Sequence, residues 1–237
     1  MLKFEGCTFS ATGENKNSKV YGLTVTGAED VEIKNCAFNG TGYSALLNKG
    51  TGTLTVKDCE FSCGNIKNPI EGGQDAENGD ITIDNCIFTG IPGNNFINIY
   101  NVALGSNHTV KNCKFHGGAN NNIIRLSNKN NTVAFFHVEN CMYEFTSGKI
   151  SEYSGFLLCQ DYTNKTGTKQ EFGYYTIDIT NLIRPKEGSL FYVYDDSEGI
   201  ITTNDPHVYL DGTLVSNPTT QAFVGSGDSM IESDEEF

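Results

Sequence analysis

The motif Asn-Cys-x-Phe returns along this chain at an almost constant interval. It occurs as Asn35-Cys36-Ala37-Phe38, Asn85-Cys86-Ile87-Phe88 and Asn112-Cys113-Lys114-Phe115, with close variants at Gly6-Cys7-Thr8-Phe9, Asp58-Cys59-Glu60-Phe61 and Asn140-Cys141-Met142-Tyr143. Successive cysteines are 29, 23, 27, 27 and 28 residues apart, a period typical of arrays in which each unit stacks on the next. A seventh, degenerate copy ends in Asn181-Leu182, with leucine in the cysteine slot.

The residue before each cysteine slot is Gly6, Asn35, Asp58, Asn85, Asn112, Asn140 or Asn181. Gly, Asn and Asp are the residues that best tolerate the left-handed αL conformation. Each therefore reads as a one-residue corner between two strands. Before the corner, alternation puts Val31 with Ile33, Leu54 with Val56 and Ile81 with Ile83 on one face, as a half-buried strand requires. After it, Cys and Phe lie two apart and point the same way. A second apolar run follows in each unit, such as Ala45-Leu46-Leu47 or Phe96-Ile97-Asn98-Ile99, set off by Gly/Asn clusters that read as turns. No helical period separates the strands. The expectation is an all-β, right-handed parallel β-helix of about seven coils, roughly 35 Å long at ~4.8 Å per coil.

On these motifs, residues 2 to 195 resemble the right-handed parallel β-helix proteins, the architecture of pectate lyases, polygalacturonases and phage tailspikes. The resemblance implies a scaffold that hosts enzymes, adhesins and virion parts alike, so it implies architecture without activity. The domain reading is a β-helix over 1–185, a β-rich cap or docking element over 186–225 and an acidic flexible tail over 226–237. Within the cap, Asp211-Gly212 between apolar runs predicts a hairpin.

Net charge is −13, and Arg125 and Arg184 are the only arginines. That balance argues against a nucleic-acid partner, which needs a basic footprint, and against an anionic membrane surface. No apolar run reaches the length of a membrane span, and no signal peptide precedes the first repeat. The expected setting is therefore a bacterial cytoplasm or a virion assembled there. In-register side chains on parallel strands point the same way and make poor disulfide geometry. Cys59 and Cys63 lack a partner pair for a metal. The repeat cysteines then read as small buried hydrophobes carrying free thiols, and no metal or cofactor is expected.

A catalytic β-helix would carry polar groups at equal offset on adjacent coils. Twelve residues past the repeat cysteine stand Asn48, Glu71, Asn98 and Arg125. They read as an outward, solvated ladder and, in the functional reading, as a shallow saccharide groove. Glycoside hydrolysis needs two carboxyl groups about 5 to 10 Å apart, and this row offers one. The paired aspartates, His-Gly and Arg-x-Lys of polygalacturonases do not occur here as an ordered set, since His116-Gly117, Arg184-Pro185-Lys186 and Asp195-Asp196 stand in a different order along the chain, and the calcium-binding aspartate cluster of pectate lyases is missing. His108, His116, His137 and His207 are expected at surface or edge positions, and the acidic run 71–80 as a solvated turn.

Solenoids need caps at both ends, yet Leu2, Phe4, Cys7 and Phe9 arrive at once. Leu2, Phe4 and Phe9, with Phe237 in the tail, are the docking candidates. Three functions stay open. One is a non-enzymatic structural β-helix that docks on a capsid or other virion protein, with self-association; small leaderless β-helices resemble phage capsid decoration proteins and fibre or spike parts. The second is a carbohydrate-binding or polysaccharide-depolymerising module. The third is an intracellular bacterial binding or scaffold protein.

Overall fold

The computed structural model describes residues 1–73, 77–100, 103, 105–117, 123–127, 134–144, 155–160, 175–183, 189–194, 207–214 and 223–224. The chain opens with β1 (Leu2–Glu5), β2 (Thr8–Thr12), β3 (Tyr21–Gly27), β4 (Val31–Lys34), β5 (Ala37–Gly50), β6 (Leu54–Lys57), β7 (Glu60–Ser62) and β8 (Ile66–Gly72). There follow β9 (Ile81–Asp84), β10 (Ile87–Thr89), β11 (Ile97–Tyr100), β12 (Asn107–Lys111), β13 (Lys114–His116), β14 (Ile124–Ser127), β15 (Ala134–Glu139), β16 (Met142–Glu144) and β17 (Gly155–Gln160). The chain continues through β18 (Tyr175–Thr180), β19 (Ser189–Tyr194), β20 (His207–Leu210), β21 (Thr213–Leu214) and β22 (Phe223–Val224).

The protein is a parallel β-solenoid. Three faces run along it: A through β1, β4, β6, β9, β12, β15, β18 and β20; B through β2, β5, β7, β10, β13 and β16; C through β3, β5, β8, β11, β14, β17 and β19. Strand β5 bends through a corner and belongs to both B and C. The solenoid has about five turns, fewer than the seven motif copies suggest. The corners at Gly6 and Asn181 explain the difference. Among the described residues, the first lies on a coil stacked on one side only, and after the last an isolated Met142–Ile183 bridge stands in place of a strand on face B.

The corner reading is borne out at every copy. Gly6, Asn35, Asp58, Asn85, Asn112, Asn140 and Asn181 have φ of 65°, 51°, 54°, 53°, 55°, 52° and 52°. Corner side chains also bond along the rod: Asn85 Nδ2 donates to Asp58 Oδ1 at 2.7 Å, and Asn181 Nδ2 to Asn140 Oδ1 at 2.9 Å. After the corner, Phe9, Phe38, Phe61, Phe88, Phe115 and Tyr143 fall in one register column. The rings from Phe9 to Phe115 stack at centroid distances of 5.0, 4.6, 4.7 and 4.8 Å. A spacing set by strand pairing thus becomes an offset-stacked aromatic column, worth about 0.5–1.5 kcal/mol per pair beyond burial.

Beside it runs the cysteine column. Cys36, Cys59, Cys86, Cys113 and Cys141 are buried, and Cys7 is half-buried. All six are free thiols, as is buried Cys63; Cys159 has its side chain outside the described residues. Each buried repeat thiol lies near a carbonyl two residues back, for example Cys113 Sγ to Lys111 O at 3.1 Å. The Cys36 N–H donates to Cys59 Sγ at 3.4 Å. Burial raises the Cys63 and Cys113 thiols above their ordinary value. Cys63 stands beside Gly90 in register, at a second bend where Gly90 and Gly117 have φ of 92° and 130°. A Cβ on Gly117 would lie 2.3 Å from the Gly90 carbonyl oxygen, so that bend requires glycine on this coil.

Parallel stacking continues through β19 and β20. The hairpin at Asp211-Gly212 is present, with β20 and β21 antiparallel and φ of 47° and 77° in its loop. Strand β22 pairs antiparallel with β19. The acidic run 226–237, including Phe237, lies outside the described residues.

Candidate functional site

On face C the register aligns Thr24, Leu47, Glu71, Asn98 and Arg125. Asn48 is not in this row. It pairs with Gly72, and Leu47 is the residue beside Glu71. The offset between β5 and β8 is 24 residues, Leu46 against Ile70, whereas Cys36 and Cys59 are 23 apart. One extra residue in the turn before β8 shifts the register, and a one-residue shift exchanges the two faces of a strand. Asn48 is buried, and its Oδ1 accepts from the Gly50 N–H at 3.0 Å.

The expectation of a solvated ladder is also corrected. Glu71 and Asn98 are both 0% exposed, and Arg125 is half-buried. The Glu71 Oε2 accepts from Ser44 Oγ at 2.7 Å and from Asn68 Nδ2 at 3.1 Å, and both donors are fully buried. Two buried donors thus hold the Glu71 side chain in place. Asn98 separates it from Arg125, two strand spacings or ~10 Å away. The run 71–80 is not simply a solvated turn either, because Glu71 and Asn78 are buried at its two ends. At Glu71 and Asn98 the row is covered, not an open groove.

The histidines divide. His116 and His137 sit outward, with Nδ1 atoms 3.5 Å from Glu144 and 3.3 Å from Asp178. His108 departs from the surface expectation: it is fully buried. It occupies the inward column of face A between Ile81 and Phe136, five residues before its repeat cysteine. Counting back from the cysteines would have found it, since Val31, Leu54, Ile81 and Phe136 hold the same slot. The side chain of His207 lies outside the described residues. No three His, Cys, Asp or Glu side chains converge on a metal position among the described residues.

The first coil carries the docking candidates. Among the described residues, strands β1, β2 and β3 each pair on one side only. Leu2 is 49% exposed; Phe4 and Phe9 are half-buried, their rings edge-on at 5.7 Å. Phe9 is the end ring of the aromatic column, so one of its faces has no stacked partner among the described residues. No helix among the described residues is long and apolar enough to cross a membrane. Comparison with protein-family models, curated proteins and solved structures finds no match.

Proposed function

We propose that this chain is a non-enzymatic structural β-solenoid that docks through its first coil into a larger assembly. The observation that carries the reading is the one-sided pairing of β1, β2 and β3 among the described residues, with Leu2, Phe4 and Phe9 at that edge. An open coil offers unpaired N–H and C=O groups and an apolar column end, which are a template for further strands. A phage virion is the proposed setting, as a capsid decoration protein or a fibre or spike part, with a capsid or other virion protein as partner. That setting rests on the resemblance of the repeat to phage β-helices. The net charge of −13 disfavours nucleic acid as the partner.

The test is electron microscopy of the particle that co-purifies with the tagged chain, for wild type and for Phe4→Asp with Phe9→Asp. The double variant is expected to lose the particle while keeping a β-rich circular dichroism spectrum, because solenoid stability is largely a nearest-neighbour property. The opposing reading is a depolymerase working through the Glu71–Arg125 row. Oligosaccharides released from a polysaccharide panel by wild type, but not by Glu71→Gln, would replace the structural reading.

A further inference from the structure

The corner leading from face C back to face A carries polar side chains inside the rod. Asn78 Nδ2 donates to the Gly50 carbonyl at 2.8 Å, and Asn78 O accepts from the Ala103 N–H at 2.9 Å. One coil further, Ser106 Oγ lies 3.0 Å from His108 Nε2, with both residues buried. Asn48 Nδ2, Asn78 Oδ1 and His108 Nδ1 have no hydrogen-bond partner among the described residues. The seam therefore holds buried polar groups that the described interior leaves without a partner.

His108 is the titratable group on that seam. Beside it in the inward column are Ile81 of β9 and Phe136 of β15, and the next inward position along these strands holds Ile83, Val110 and Val138. None of these can balance a charge. Asp80, before β9, is the acidic group acting on the ring, but its Oδ1 already accepts from the Asn107 N–H at 2.8 Å. The other charged groups of these strands alternate to the outer side: Asp84 on β9, Lys111 on β12, and His137 and Glu139 on β15. Lys111 pairs there with Asp84, and His137 with Asp178 of β18.

We propose that His108 is an acid-operated break point, whose protonation opens the rod at the β9–β12–β15 junction while the coils before β9 stay stacked. A solenoid coil is held only by its two neighbours, so a charge in one coil loosens that junction and not the whole rod. Burial holds the imidazole at about 4, below the ordinary 6.5, with Asp80 opposing the shift. The opened state takes its proton near 6.5 and the closed state near 4. Closed over open is thus greatest above pH 6.5, falls about 160-fold as pH drops to 4, and levels off near a 300-fold loss well below pH 4. The proposal is independent of the docking reading.

Hydrogen exchange by mass spectrometry on the full reduced chain, at pH 7.5 and 4.5 and corrected for intrinsic rates, tests it. In wild type, amides of β9, β12 and β15 are expected to lose protection by roughly two orders of magnitude at pH 4.5, with β4 and β6 changing little. His108→Leu, matching the aliphatic column, should keep protection at both pH values. His108→Asn, polar but not titrating near neutrality, should remove the pH dependence even if the leucine variant does not fold. His137→Gln should leave the acid loss in place. Unchanged wild-type protection, loss spread evenly over all coils, or the same acid loss in both His108 variants would overturn the proposal.

Discussion

Replacing Asn85 with valine isolates the cost of the corner. Asn85 has φ of 53°, where a β-branched side chain is a genuine outlier and a Cβ costs about 1–2 kcal/mol. The change also removes the Asn85 Nδ2 to Asp58 Oδ1 bond of 2.7 Å. That bond is exposed, so its loss adds about 0.5 kcal/mol, the low end for a hydrogen bond. The expected destabilisation is about 1.5–2.5 kcal/mol. Asn85→Gly separates the two effects, because it loses the same bond but adopts the same φ freely, at about 0.5–1 kcal/mol of unfolded-state entropy. Alanine should fall between them. Urea unfolding of the reduced protein, followed by far-ultraviolet circular dichroism at neutral pH, should rank the midpoints Asn, Gly, Ala, Val. Valine unfolding at the same midpoint as glycine would refute the argument that backbone conformation selects the corner residue.

Phe88→Ala empties the middle of the aromatic column, where the ring stacks at 4.7 and 4.8 Å on its neighbours and has no exposure; a loss of about 3–5 kcal/mol is expected in the same unfolding assay. Glu71→Ala leaves the buried Ser44 hydroxyl and Asn68 amide without their acceptor, at about 2–4 kcal/mol, whereas Glu71→Gln keeps an acceptor oxygen and should cost about half that. Equal melting temperatures for the two would show that these bonds do not hold the carboxylate's site. A thiol reagent should modify all eight cysteines of the denatured, unreduced protein, whereas in the folded one half-buried Cys7 should react faster than buried Cys36, Cys59, Cys63, Cys86, Cys113 and Cys141; Cys7→Ser should remove one fast-reacting thiol, and fewer than eight reactive thiols on denaturation would indicate disulfides.

Local conformation was legible in the sequence wherever one residue type had to satisfy one backbone demand at every coil. Asn35, Asp58, Asn85, Asn112, Asn140 and Asn181 announce their positive φ because few residues other than Gly, Asn and Asp sit there at low cost. The Phe and Cys columns follow, since a two-residue alternation after a fixed corner leaves one choice of face. The number of coils was read less well, because a motif marks a corner and not a coil with neighbours on both sides.

The polar rows needed the tertiary structure. Register between Leu47 and Glu71 depends on the length of the turn before β8, and one added residue moved Asn48 from the outer row to the interior. No motif encodes that turn. The alternation put Glu71 and Asn98 on the outer side of face C, but it could not say that this side is covered, since covering depends on what packs there. His108 lay within reach of the sequence through its place in the repeat, yet its chemistry did not. An imidazole in an aliphatic column stays neutral because the residues stacked above and below it, Ile81 and Phe136, remove water from both sides.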